Sequence, residues 1–314
     1  MVSSMPAVLL IVFNRPEETR RVFAEIRLAR PRQLYLACDG PRSSKIGEAE
    51  LVEKVRRLVS QVDWPCEVKT RFLEENLGCG RAVSSAIEWF LNDAGEGIIL
   101  EDDCLPTPAF FHFCSVMLER YRHDERVGVI AGSNMAPEVK LDHDYGFSRL
   151  IACWGWATWR RTWSRYQLIP DSISMDESWT DLYDAKSFNA LQSSLNRISG
   201  GEIHTWDYQL LVQQLRLKQL TVIPSKNLVL NIGFSGTGTH FSNSGRPWWA
   251  PRFAYNSNYS WSQEIVVKPS EIFDLYYQAS AHGGGEKVFQ KWVKFTRSIY
   301  FWFERILKNP YFKD

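Results

Sequence analysis

Over its first 130 residues the chain alternates short apolar runs with longer amphipathic stretches, the pattern of strands feeding helices around a mainly parallel sheet. This predicts strands at Ala7–Phe13, Gln33–Cys38, Glu67–Phe72, Gly97–Leu100 and Val127–Ala131, with helices filling the gaps. A first helix is expected from Pro16, whose fixed φ suits an opening turn, with Val22, Phe23 and Ile26 toward the sheet. Another, near Arg81–Asn92, would bury Val83, Ile87 and Leu91. After Asp103, Thr107-Pro108 supplies an N-cap and a first-turn proline, so a strand end, an acidic turn and a helix start follow in order. The expected class is α/β.

Composition narrows the function classes. Across 314 residues, 45% are apolar and 23% charged, a globular balance that excludes a disordered chain. A formal charge of +1 gives no global field for DNA or RNA, so no nucleic-acid partner is expected. No apolar run approaches the roughly 20 residues that span a bilayer, and Met1–Pro6 lacks the basic residue of a signal peptide; a cytoplasmic location is the expectation. The six cysteines include no C-x-x-C pair and no histidine at zinc spacing, so a reduced, buried set is expected, with Cys104 set apart by the acids beside it.

Three segments differ in texture. Residues 1–150 carry the strand and helix alternation. Residues 151–265 hold nine of the thirteen tryptophans and a Gly-rich stretch, Gly233–Gly245, expected to form a mobile lid. Residues 266–314 end in a basic, aromatic amphipathic helix, and from Glu286 onward the charge is +4. On a helical wheel Phe289, Trp292, Val293, Phe295, Ile299, Trp302, Phe303, Ile306 and Leu307 share one half, while Lys287, Lys291, Lys294, Arg297 and Arg305 share the other. That composition suits an anchor on a membrane surface through 287–307, peripheral on the inner face, and equally a terminal helix docked on the body.

The strongest chemical signal is Glu101-Asp102-Asp103, three carboxylates emerging from a buried strand. Ligands of open α/β sheets bind beyond the carboxyl ends of strands. Three adjacent acids repel one another unless a cation or cationic side chains share the site, and a hard divalent ion holding a diphosphate meets that need; a solvated acidic turn is the plain alternative. Other polar chemistry falls at matching places: Asn14-Arg15-Pro16 after the first strand, Asp39-Gly40 after the second, and Asn76-Leu77-Gly78-Cys79-Gly80-Arg81 opening a helix. Arg15 can pair with a phosphate or base, and Asp39 can accept from a nucleobase N–H. Neither G-x-G-x-x-G nor a P-loop is present.

In these motifs, with Trp154-Gly155-Trp156 and Trp206-Asp207, the chain resembles glycosyltransferases of the GT-A fold. More narrowly it resembles bacterial relatives of alpha-mannoside beta-1,2-N-acetylglucosaminyltransferase, some of them labelled hemolysin-like glycosyltransferases, over about Pro6–Phe241. The resemblance implies a nucleotide-sugar site of Asn14, Arg15, Asp39, Asn76, Gly78, Arg81, Glu101 and Asp102, with Asp103 ligating Mn²⁺ or Mg²⁺. It implies a catalytic base at Asp207.

Read from the residues alone, Asp207 fits a general base for an acceptor hydroxyl or an N-cap for a helix running to Lys218. Trp154, Gly155, Trp156 and Trp206 can floor a sugar ring or fill a core. His240, on the Gly-rich stretch, can complete a metal site or clamp a phosphate. The expectation is a metal-dependent, inverting transferase moving a sugar from a nucleoside diphosphate donor, with UDP and N-acetylglucosamine suggested by the resemblance, to a hydroxyl of a glycan or lipid-linked glycan. The rivals are a sugar nucleotidyltransferase and, from another class, a non-catalytic membrane-binding or lytic protein.

Overall fold

The computed structural model describes residues 5–169, 185–234, 245–256, 259–282, 287–307 and 311–313. The amino-terminal alternation folds as β1 (Val8–Val12), α1 (Pro16–Ala29), β2 (Gln33–Cys38), α2 (Glu48–Val59), β3 (Glu67–Phe72), α3 (Gly78–Ala94) and β4 (Glu96–Glu101). β1 is buried along its whole length and pairs in parallel with β2 on one side and β4 on the other. A strand covered on both faces reads as an unbroken apolar run, which is why Ala7–Phe13 does not alternate. α1 turns Val22, Phe23 and Ile26 inward, as its spacing predicts.

Beyond β4 come β5 (Cys104–Pro106), α4 (Pro108–Arg120), β6 (Val127–Ala131), β7 (Tyr145–Ser148), β8 (Trp156–Trp159), α5 (Arg160–Trp163), α6 (Ala185–Ser199), α7 (Asp207–Arg216), β9 (Leu220–Pro224) and β10 (Val229–Asn231). The central sheet has eight strands in the order β3-β2-β1-β4-β8-β6-β9-β7. β8 runs antiparallel to both β4 and β6, and β7 antiparallel to β9, while the remaining strands share one direction. The fold is therefore α/β, with a mostly parallel sheet flanked by helices. Position 150 is no break in it, because β8 enters between β4 and β6 and Trp156 shares a core with Leu9 and Ile99.

Two expected local features take a different form. β5 intervenes between the acidic turn and α4, pairing antiparallel with β10. Thr107 is the N-cap residue of α4 but its side chain caps nothing; its hydroxyl donates to the Tyr255 carbonyl (3.1 Å), and Asn256 accepts from the Ala109 N–H (2.9 Å). A cap supplied from a distant loop leaves no mark in the local sequence.

The chain closes with β11 (Phe253–Ala254), α8 (Glu271–Tyr277), α9 (Lys287–Leu307) and β12 (Phe312–Lys313), which pairs with β11. α8 is tied to the sheet edge by buried Asp274, which accepts from the Ser148 hydroxyl (2.6 Å) and Arg149 Nε (2.8 Å). α9 docks on the body, and Arg297, expected on its solvated basic face, is instead buried: its Nε lies 2.9 Å from the Glu138 carboxylate, and its Nη atoms donate to the Trp249 and Met135 carbonyls.

Tryptophan makes much of the core. Trp156 is wholly buried and stacks on buried Trp206, ring centroids 5.6 Å apart, with Trp163 tilted against both. The expected sugar contacts Trp156 and Trp206 are thus core residues with no face left for a ligand. Replacing Trp156 by alanine should lower the unfolding free energy by about 3–5 kcal/mol, the cost of emptying a large buried ring site. Urea titration of the folded variant checks this, and a loss below about 1 kcal/mol would mean that the ring is not packed as described.

Candidate active site

The site begins where β1 and β4, adjacent and parallel, end together. β4 delivers Glu101, and Asp102 and Asp103 occupy the turn before β5. β1 runs out into Phe13-Asn14-Arg15, so its arginine faces the acids across one strand spacing. Arg15 Nη1 lies 2.7 Å from Asp103 Oδ2, and its Nη2 pairs with Asp102 Oδ1. Asp102 is 2% exposed and also accepts from the Phe13 N–H (3.2 Å). Arg15, expected to meet a phosphate or base, serves as counter-ion to both aspartates. Its burial opposes the charge, but the attraction of Asp102 and Asp103 outweighs that and raises its pKa.

One guanidinium does not balance the acids around it. Asp207, the first residue of α7, is close enough to Glu101 to raise its pKa. Burial, then the charges of Asp103 and Asp102, push Glu101 up to about 8 against the pull of Arg15. Burial likewise carries Asp102 up to about 6. The same field keeps nearby thiols neutral: burial, Glu101 and Asp207 lift Cys79 to about 12, and Cys104 stands well above the ordinary thiol value for the same kinds of reason. No thiolate nucleophile is available here.

Asp39, at the end of β2, has a structural task. Its Oδ1 accepts from the Gly40 and Leu77 N–H groups (both 2.9 Å), and its Oδ2 from Asn76 Nδ2 and the Gly78 N–H (both 3.0 Å). Those four bonds fill the lone-pair directions of the carboxylate, so the expected acceptance from a nucleobase finds no vacant direction in this arrangement. Asp39 caps α3 from a neighbouring strand, where negative charge suits the helix dipole. Gly78 meets the need for a left-handed turn there, with φ of +76°. The amide nitrogen of Asn14 is likewise engaged, donating to Glu48 (2.9 Å), which also holds Arg42 Nε (2.9 Å).

Arg15, Asp39, Asn76, Gly78, Glu101 and Asp102 line one cleft, of about 130 Å³, together with Phe13, Cys38, Arg42, Arg71 and Cys79. That is close to the roughly 150 Å³ of a cavity that holds benzene, so it admits a single ring. Arg81 is not part of it. With Arg71, Ser84, Ser85, Arg160 and Tyr166, Arg81 lines a separate cavity of about 620 Å³ along the outer side of α3.

Asp207 is held beside the acids by a close approach of backbone. A side chain at Gly80 would put its Cβ 2.9 Å from the Thr205 carbonyl oxygen, so glycine lets α3 lie against the segment that leads into α7. Asp207 is not the N-cap of α7; that position belongs to Trp206. Its Oδ1 takes the Thr205 hydroxyl and the Tyr208 N–H (3.1 Å), and among the described residues its Oδ2 accepts no hydrogen bond.

The remaining expected contacts divide. Gly155 adopts φ of +66° and passes so close to Val229 that a Cβ would lie 2.8 Å from a methyl group, so its role is packing, not room for a sugar. Trp154 keeps partial exposure, stacking on Trp249 (5.6 Å) and meeting Phe234 edge-on (5.7 Å). Next to Phe234, Gly233 backs onto the ion pair: a Cβ there would fall 2.3 Å from Asp103 Oδ2 and 2.8 Å from Arg15 Nη1. Arg246 lies over the Phe234 ring at 4.8 Å, which brings the two ends of the expected lid together against the acids. His240 and residues 235–244 of that stretch lie outside the described residues.

A divalent ion fits this donor set in one respect and not in another. Among the described residues no three histidine, cysteine, aspartate or glutamate side chains converge as a cage. Magnesium-type sites, however, commonly use one or two carboxylates with waters and substrate phosphates completing the shell. Asp103 suits that pattern, because among the described residues Arg15 engages only its Oδ2 while its Oδ1 meets nothing stronger than the Cys104 thiol (3.4 Å).

No protein-family model matches the chain, and no curated protein is significantly similar to it.

The raised acids give the site a pH signature. Between the ordinary carboxyl range and about 8, the folded protein holds protons on Glu101 and Asp102 that the unfolded chain has released. Stability in EDTA should therefore fall as pH rises from about 5 to 9. Glu101→Gln should flatten that fall and raise the melting temperature at the alkaline end. Thermal melts across this range check it, and parallel curves for the two proteins would contradict the assignment.

Proposed function

We propose that the protein is a glycosyltransferase of the GT-A kind that takes a sugar from a UDP-sugar, UDP-N-acetylglucosamine being the first candidate, and passes it with inversion to a hydroxyl of a glycan or lipid-linked glycan. The observation that carries this reading is the gathering of Glu101, Asp102, Asp103 and Asp207 against a single arginine at the carboxyl ends of β1 and β4, beside a cleft of one-ring size. A nucleoside diphosphate is itself anionic and is repelled by this cluster unless a divalent cation accompanies it.

Asp103 would hold Mn²⁺ or Mg²⁺ through its Oδ1, and the ion when bound would supply charge neutralisation of the leaving diphosphate. Asp102 stays buried with Arg15 and fixes the geometry of the turn. The nucleobase ring enters the small cleft, bounded by Phe13, Leu73 and Cys79, with Arg42 and Arg71 at its polar sides. Asp207 accepts the proton of the acceptor hydroxyl at its Oδ2 while Thr205 and the Tyr208 N–H hold its Oδ1 in place. Trp154, the one expected sugar contact that keeps an open face, borders the acceptor side through Phe234.

Two substitutions separate the roles. Asp103→Asn should abolish Mn²⁺-dependent UDP binding in calorimetry with little loss of stability, whereas unchanged binding would remove Asp103 from the donor site. Asp207→Asn should still bind UDP with Mn²⁺ and fold normally, yet transfer sugar about 10²- to 10⁴-fold more slowly. Near-normal transfer by that variant would leave Asp207 with a structural role only.

A further inference from the structure

α9 docks with the wrong side in for an ordinary terminal helix. Its buried face carries an ion pair, Arg297 with Glu138, and a second carboxylate, Glu304, which accepts from the Tyr255 hydroxyl and lies 3.6 Å from Lys226. Val293, Phe289 and Phe301 add apolar packing there, Phe289 against Tyr276 (5.8 Å) and Phe301 against Phe253 (6.0 Å), and half-exposed Trp292 touches Tyr276 edge-on (5.6 Å). Most of the apolar residues that share one half of its helical wheel face outward.

Val288, Trp292, Phe295, Ile299, Trp302 and Ile306 are all exposed, from 39% at Ile299 to 75% at Val288. Their spacings alternate between four and three residues, so they form one continuous stripe along a helix about 30 Å long. Lys287, Lys291, Lys294 and Arg305 border that stripe along one flank, and among the described residues none of them pairs with a carboxylate. The helix holds one acid, Glu304, and it is turned inward. No described helix is long and apolar enough to cross a membrane, so this surface lies on its partner and does not span it.

We propose that the outer face of α9 seats the protein on an anionic lipid bilayer, the aromatic and aliphatic stripe entering the headgroup–acyl boundary while the lysine flank meets lipid phosphates. Two features select lipid over a second copy of the chain. Aromatic rings occupy half of the stripe, which suits an interface where rings rest at headgroup level better than a helix–helix seam built from Leu, Ile and Val. Pairing two copies would also bring two basic flanks together with no exposed acid to neutralise them, and an anionic surface supplies that countercharge. This assignment stands apart from the sugar-transfer reading, since it involves none of the site residues.

Sedimentation of the full chain with phosphatidylglycerol–phosphatidylcholine vesicles, against pure phosphatidylcholine, tests it. The wild-type protein should pellet with the anionic vesicles. The triple variant Phe295→Ser, Trp302→Ser, Ile306→Ser should weaken partitioning by about ten-fold or more per side chain removed. Lys291→Gln with Lys294→Gln should weaken it about five-fold per charge on anionic vesicles only. All these positions are exposed, so melting temperatures should match the wild type, and if the triple variant misfolds the lysine pair carries the test. Equal wild-type binding to both vesicle types, or none, overturns the proposal. So does concentration-dependent self-association that the triple variant abolishes, which would give the face to a second copy.

Discussion

Arg15 reaching across from the end of β1 to Asp102 and Asp103 at the end of β4 is the contact around which the site is built. Both strands are buried, so neither chain end can move without disturbing the sheet, and the ion pair inherits that rigidity. Removing Asp102, the more deeply buried partner, would leave the Arg15 charge poorly compensated at a cost of about 3–5 kcal/mol, whereas loss of the partly exposed Asp103 charge leaves Arg15 still paired with Asp102. The arrangement is thus well held but under-neutralised. Asp207, joined by Glu101 as it ionises near pH 8, adds negative charge that no described cation offsets.

Close backbone approaches transmit this arrangement to the rest of the molecule. Gly80 allows α3 to touch the segment before α7 and brings Asp207 to the acids, while Gly233 lets the chain leaving β10 lie directly on Asp103 and Arg15. Asp39 fixes the third side by holding the start of α3 with all of its acceptor capacity. Strand order, two glycines and one saturated carboxylate therefore gather groups from six separate stretches of sequence.

Much of the amino-terminal architecture was legible in the sequence because buried parallel strands leave unbroken apolar runs and α1 leaves a clear helical period. The acids and Arg15 were legible for the same reason, as polar residues abruptly ending apolar strands. What the sequence concealed depends on distant partners. Glu48 and Arg42 brace Asn14 through contacts that no local spacing announces, and Asn256 caps α4 from across the fold. The insertion of β8 between β4 and β6 buried Trp156 and Trp206, and nothing in Trp-Gly-Trp distinguishes a core ring from a ligand floor. The spacing of α9 shows its amphipathic character, yet its docking through Arg297 and Glu304 inverts the usual rule that the apolar face turns inward.

In the proposed transfer, Asp103 is where a divalent ion and a nucleoside diphosphate would meet the protein. Anomalous diffraction from crystals grown with Mn²⁺ and UDP tests it directly. A manganese peak at coordination distance from the Asp103 carboxylate, with the diphosphate oxygens on its other side and the base in the cleft beside Phe13, is the predicted result. A peak elsewhere on the molecule, or UDP bound away from the ends of β1 and β4, would contradict it.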